Sequence, residues 1–476
     1  MFSKLLYVCL SCLLFSQFTQ AATQDSCLFS IQNDEKYWIE PIDTNGLIYV
    51  RLQGNTRQSL ELITYDTSFT ELKKINYAIP KKYYFRLKKQ YNSFYYVLAS
   101  DKVNKKYILI TVDIKKLTFT ETYFTTYINS SPTKLHVLGD YAYIAGMLKN
   151  KPTITQVSIS KKRAKVIPFP MQGHGMVQSM VSNKKMELLD ILLYSSHKKE
   201  NFAELLSFDM NGKQKNRRKV KLTKENHLQS ASLDRKSRDI INVLGTYSND
   251  LKGSHGIYHI TYAKESTIKL YPISLFTHYY DFLPEKAQTQ IKQQIIKRKE
   301  KNKPVSFSDH LLIHPLVRFD DYNLLIAEAY QPTYRQEPFI TYIFGRQTIQ
   351  YRTVFDGWQK SHFIHATIRN DGEMVENGSI KLTNSKSFTL SKAVLSQDNS
   401  IFYKTPDGLT KLIIDKKTGR LSNEEKIIPH KKNNSNSNYR YWYSNTLLES
   451  SISKERWSLM RSFARETITL KKIKLP

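Results

Sequence analysis

The sequence predicts an all-β fold, a closed β-propeller of four-stranded antiparallel blades with one helical insertion, and three observations carry that expectation. A strand, a tight turn and a second strand recur, as in "LELITYDTSFTELKKINY", "YILITVDIKKLTFTETYF" and "AELLSFDMNGKQKNRRKVKL". Aligned on the residue ending the first strand, seven copies fall at Asp66, Asp113, Ser160, Asp209, Ala263, Asp371 and Asp415, with separations of 47, 47, 49, 54, 108 and 44. A near-constant period in the forties marks a repeat architecture. Two more alternating runs precede each pair, for example "YYFRLKKQYNSFYYVLAS" before Asp113, so each unit holds four strands. The 3.6-residue periodicity of a helical solenoid is missing, and four-stranded antiparallel units of this length are propeller blades.

The elements follow in order. Residues 1–21 read as a secretory signal peptide, with Lys4 as the positive region, an apolar run from Leu5 to Phe15 and a small-residue end at Thr19-Gln20-Ala21. Cys12 after a short apolar run leaves lipoprotein anchoring as a minor alternative. The protein is thus expected to be exported, periplasmic or extracellular. With the leader removed only Cys27 remains, which excludes an internal disulfide, and no later run is long enough for a membrane span. Residues 22–476 are expected to form one propeller domain with insertions at 281–304 and 331–361. "CLFSI" near the start and about three strands after the seventh unit together make one more blade, because a ring must hide its first and last edges. Eight blades are favoured, with seven as the alternative. "YNLLIAEAYQPTYR", "FDGW" followed by "HATIRNDGEMVENGSI", and the closing "YWYSNTLLESS" resemble secreted bacterial β-propeller proteins of unassigned function. That resemblance covers mainly the last 170 residues; it implies the fold and supplies no activity.

In such a blade the connections from strand 2 to 3, and from strand 4 to the next strand 1, leave on one side of the disc. Both insertions belong to that side. The first reads as a helix, with Asp281 near its cap, Pro284 in its first turn, and Ala287, Ile291 and Ile295 along one stripe. The same sorting places Lys81, Lys82, Lys102, Lys105, Lys106, Lys149, Lys151, Lys198, Lys199, Lys252, Lys431 and Lys432 there, against fewer acids: Asp101, Glu200, Asp250, Glu285, Glu300, Glu337 and Asp356. The chain carries +30, or +29 without Lys4, so much of the excess is directional.

Candidate sites follow from position more than from motif. Trp358 and Asp356 lie in the second insertion, and Phe355 to Trp358 are expected to form a site loop with Tyr330, Tyr334 and Arg335; Asn370-Asp371-Gly372 reads as a replaceable hairpin turn. His362 and His365, three apart, point to opposite faces of a strand, so they do not make a zinc pair. Glu328 shares an apolar side with Leu324, Ile326 and Tyr330, and His310 and His314 of strand 1, His365 of strand 3 and Asp356 are placed near the same end; it must be paired with Arg335, Arg352 or a Tyr hydroxyl, or else act as a general acid or base with His365. His174 and His255 fall in loops of the decorated side. Phosphate-binding, Gly-x-Ser-x-Gly, His-Glu-x-x-His and EF-hand motifs are absent from the sequence, and neither metal nor cofactor is expected.

Two functions are compatible with these features. The first is a non-enzymatic binding or scaffold protein, monomeric, whose basic, aromatic-rich face takes an anionic glycan, an envelope component or a protein partner; nucleic acid is disfavoured because the chain reads as exported. The alternative is a polysaccharide hydrolase or lyase with its site at the sixth-blade insertion.

Overall fold

The computed structural model describes residues 26–31, 35–42, 46–54, 57–167, 174–183, 185–198, 200–223, 226–249, 253–301, 309–319, 321–343, 346–387, 394–397, 400–405, 408–415, 417–418, 420–429, 438–443, 446–455 and 465–474. The expected leader and the candidates Lys199, Asp250, Lys252, Lys431 and Lys432 lie outside them. Among the described residues there are eight antiparallel sheets. Blades 1 to 7 occupy residues 36–78, 84–125, 131–167, 174–222, 227–272, 310–387 and 394–429, in simple sequential order from inner to outer strand except that in blade 6 the inner position is shared by His310–Ile313 and the short Val317–Arg318, both paired with Tyr322–Ile343.

Burial explains why the strands read as they do. The middle strands are apolar along nearly their whole length, as in Phe94–Ser100 and Lys106–Asp113, because they are covered on both faces by neighbouring blades. Outer strands such as Gln214–Leu222 alternate, since their rim side meets water. The apolar clusters sit between blades rather than within them. One joins Val50 and Leu62 of blade 1 to Val97 and Ile110 of blade 2; another joins Leu325 and Ile364 of blade 6 to Leu244 and Ile257 of blade 5.

The eighth blade is built from both ends of the chain. Asn438–Tyr443, Thr446–Glu455 and Arg465–Lys474 form its inner three strands, and Ser26–Ile31 pairs antiparallel on the outside, with Cys27 opposite Leu470 and Phe29 opposite Ile468. Phe29 then stacks on Tyr49 of blade 1 at 4.6 Å, in a cluster with Leu448, Ile468 and Leu470. Blade 8 is thereby sealed onto blade 1.

The repeated aspartate has a local cause. Asp66 Oδ1 accepts the backbone N–H of Ser68 and Thr70, Asp113 that of Lys115 and Lys116, and Asp209 that of Asn211 and Lys213. Each carboxylate closes the turn between strands 3 and 4. Where the repeat has Ser160, Asp140 from the adjoining hairpin accepts both its N–H and its hydroxyl.

The first insertion forms the helix Glu285–Glu300, and Ile291 and Ile295 pack on the cluster between blades 5 and 6. Its start differs in detail from expectation: the Pro284 carbonyl accepts from Gln288, while Asp281 pairs with His278 at 2.8 Å instead of capping. Phe29→Ala should cost about 3–5 kcal/mol in urea unfolding, and deletion of residues 466–476 should lower the midpoint of the whole ring in one transition. A deletion that unfolds like the intact chain would show that the ring is not sealed there.

Candidate functional site at the sixth blade

The second insertion is not a loop. Tyr322–Ile343 and Arg346–Arg369 stay paired from the blade to the tip, from Tyr322 opposite Arg369 to Ile343 opposite Arg346. The cause is legible afterwards: alternating Thr, Tyr, Ile and Phe over both halves favours a ribbon over an irregular excursion. Among the described residues, the flanking strands reach only Tyr330 on one side and Trp358 on the other, so the rest is a free two-stranded arm. Thirteen residues beyond Tyr330 give it a length of about 40 Å.

Trp358 and Asp356 therefore sit in a strand. The register skips Asp356, with Gly357 opposite Thr333 and Phe355 opposite Tyr334. This bulge brings Phe355 and Trp358 to the same face, and a line of rings results. His310 meets Trp358 at 5.5 Å, Trp358 meets Phe355 at 5.7 Å, and Phe355 meets Tyr334 at 6.2 Å. On the other face Arg335 and Arg352 both pair with Glu337, the latter at 3.1 Å, and hold its carboxyl below the usual range.

Glu328 is fully buried. It finds its partners in His314 Nε2 at 2.6 Å and the Tyr330 hydroxyl at 2.7 Å, not in Arg335 or Arg352, which the arm carries away from it. Burial pushes this carboxyl up, but the bonds from His314 and Tyr330 and the nearby Lys360 ammonium outweigh it, and the net shift is downward. Lys360, opposite Tyr330 and buried, has its pKa lowered by the same desolvation. Both carboxylate oxygens are thus engaged inside the blade, and no bond joins Glu328 to His365 among the described residues.

His362 and His365 do point to opposite faces. His362 stacks on Phe282 of the helical insertion at 3.7 Å. His365 lies opposite Gly378, where any Cβ would collide with its Nε2. Thus glycine inside a strand marks a close approach, the one signal in the sequence that could have found this site. Beyond Gly378 opens a cavity of about 490 Å³ lined by His278, Asp281, Glu376, Ser379 and Arg420. Burial raises Glu376, partly offset by the Leu421 backbone N–H and then by Arg420, and its Oε2 is buried without a hydrogen-bond partner. Of the lining groups only His365 was expected at a site; Asp281 was expected as part of a helix start, and the others were not singled out by sequence.

The remaining candidates scatter. His174 is exposed at the start of blade 4's inner strand, Lys198 is exposed in a tight turn, and His255 is buried, with Nδ1 near Ser248 and Gly253 of its own turn. Among the described residues no three His, Cys, Asp or Glu are arranged to hold a metal ion.

No family model matches the chain, and no curated protein matches it either. Among solved structures, it is similar to the polysaccharide lyase Uly1 at 8% identity, with 84% of this chain on 92% of that one and a TM-score of 0.37. A cobalt-substituted apocarotenoid oxygenase of Synechocystis aligns at 10% identity over 50% of this chain, TM-score 0.31, and an ACO/RPE65 chimera at 9% over 51%, TM-score 0.30. This chain spans 62% and 64% of the length of those two.

Burial holds His136 at about 3 and His259, His362 and His365 at about 4, against an ordinary 6.5. These rings stay neutral in the native state while the unfolded chain protonates them below about 6.5. Stability should be flat above about pH 7 and fall as pH drops from about 6.5 to about 4, by up to about 3 kcal/mol per ring. Urea midpoints measured at pH 7.5 and 5 check this; equal values would contradict neutral burial. Glu328→Ala should destabilise by about 3–5 kcal/mol, whereas Asp371→Asn should stay within about 0.5 kcal/mol because Asn keeps the turn bond to Glu373.

Proposed function

We propose that this is a non-enzymatic propeller that holds an anionic polymer, an acidic glycan, on its lysine-bearing side. One observation carries the reading. Lys81, Lys82, Lys102, Lys105, Lys149 and Lys198 in connections of blades 1 to 4, and Lys106 and Lys151 at the first positions of the strands that follow, are exposed on one side of the disc, and none of them joins an ion pair among the described residues. The acids nearby are already engaged. Asp101 accepts the backbone N–H groups of Lys105 and Lys106, and Glu200 pairs with Lys221 at 2.6 Å. A field of one sign over four blades raises the local concentration of an oppositely charged chain. The rings of Trp358, Phe355 and Tyr334, on the same side, offer flat apolar faces for sugar rings. Export to the cell envelope or beyond belongs to this proposal.

The cavity beside blade 6 favours a second reading, a polysaccharide hydrolase or lyase. A histidine and a carboxyl of raised pKa beside a guanidinium are groups from which acid–base cleavage can be assembled. Turnover of an acidic polysaccharide that disappears in Glu376→Gln would establish it over the binding reading.

Replacing Lys82, Lys105, Lys149 and Lys198 together with Gln should weaken binding of an acidic glycan about tenfold at low salt and flatten its salt dependence. The same change at Lys115, Lys116, Lys161 and Lys162, exposed on the opposite side, should do much less. Equal losses from the two sets, measured by calorimetry, would reduce the reading to attraction by net charge.

A further inference from the structure

We propose that the blade-6 arm is a membrane-docking device: its apolar face enters the interface of an anionic lipid bilayer while the lysines of the same side of the disc meet the headgroups. This goes beyond the polymer reading: it shares the lysines, Tyr334 and Phe355 with it, and adds Pro338, Ile340, Ile349 and Tyr351 of the outer arm.

The arm is amphipathic as a ribbon. Tyr334 and Phe355, Pro338 and Tyr351, and Ile340 and Ile349 are directly opposite one another and share one face, interrupted by one polar pair, Gln336 and Thr353, which bond to each other. That face is open: Tyr334 is 60%, Ile340 56%, Ile349 62%, Tyr351 68% and Phe355 43% exposed. The other face carries Arg335, Glu337 and Arg352, which neutralise one another in part. A two-stranded ribbon is marginal in water by itself, and apolar side chains held open on one need a surface that covers them.

Charge decides which surface. The arm leaves the same side as the eight exposed lysines, and the neighbouring helix adds exposed Lys292 and Lys297 with Ile296, which is 54% exposed. An anionic bilayer satisfies both features, drawing the lysines to its headgroups and taking the isoleucines and tyrosines into its apolar margin. A second copy of a chain of +30 would set lysine against lysine. The backbone limits the depth. Among the described residues the arm's outer edges have no strand partner, and unpaired N–H and C=O groups do not enter hydrocarbon. No helix among the described residues is long and apolar enough to cross a membrane. The arm therefore lies in the interface and does not span.

The test is co-sedimentation of the full chain with vesicles of phosphatidylglycerol and phosphatidylcholine in equal parts, and with phosphatidylcholine alone, at ~0.1 M salt. The chain should pellet with the first and stay in solution with the second. Ile340→Asp with Ile349→Asp should weaken that binding at least tenfold, with an unchanged melting temperature and unchanged binding of an acidic glycan. Vesicle binding untouched by the arm substitutions would overturn the proposal, as lysines alone would then suffice. So would failure of the chain to bind phosphatidylglycerol, or loss of glycan binding in the arm variant. A dimer in light scattering that the same substitutions convert to monomer would overturn it in favour of a second copy. Failure of the glycan reading leaves the vesicle result standing, so the two can be told apart.

Discussion

A sheet whose middle strands are apolar on both faces must be covered on both faces. Leu98 and Leu109 of blade 2 are fully buried against blade 3, while Val97 and Ile110 one residue along each strand are fully buried against blade 1. A row of such sheets always has two bare ends, and only a ring removes them. Everything else in the molecule depends on that closure, which Phe29 and its strand supply from the far end of the chain. Polar groups caught between blades are tied across the same seams. Gln156 donates to the Gly212 carbonyl at 2.7 Å, Arg235 donates to both carboxylate oxygens of Asp190, and Tyr271 donates to the Gly372 carbonyl at 2.5 Å. Such bonds are specific where apolar packing is not, and fix each blade's height against the next.

The ring was legible because its causes are local and repeated. Middle strands buried twice over read as long apolar runs, and an aspartate that binds backbone N–H groups recurs at five of the seven aligned strand 3 to strand 4 turns. Even the blade assembled from both termini could be inferred, since an unpaired edge is a general hazard. The site was less legible for reasons that are equally physical. The arm failed to read as strands because Pro332, Pro338, Asp356 and Gly357 interrupt it; two of these fall at a bulge, where the interruption is part of the structure. Glu328 was correctly placed on an apolar side, and a Tyr hydroxyl was among its expected partners, yet His314 could be assigned only once strands 1 and 2 were laid side by side. The cavity at His365 joins residues from the insertion before blade 6, the outer strand of blade 6 and a turn of blade 7, and no spacing along the chain records that meeting.

The two sides of the disc use their charges differently, and this separates architecture from recognition. On one side acids are spent inside turns: Asp66, Asp113, Asp209 and Asp415 bind backbone N–H groups, and Asp415 is held below the usual carboxylate range first by the N–H of Lys417 and then by Thr418. On the other side the turns are closed with fewer acids and the lysines keep their charge for solvent. The arm follows a third rule. Glu337 absorbs Arg335 and Arg352, so what the ribbon offers outward is shape and apolar surface more than charge. A partner would therefore meet two terms of different range. The lysines act over about 8–10 Å and fade with salt, whereas the arm acts only on contact and is insensitive to salt. A partner that satisfied only the first would bind this side of the molecule weakly and wherever charge permitted. One that satisfied both would be held in a single orientation, with the arm as its fixed point.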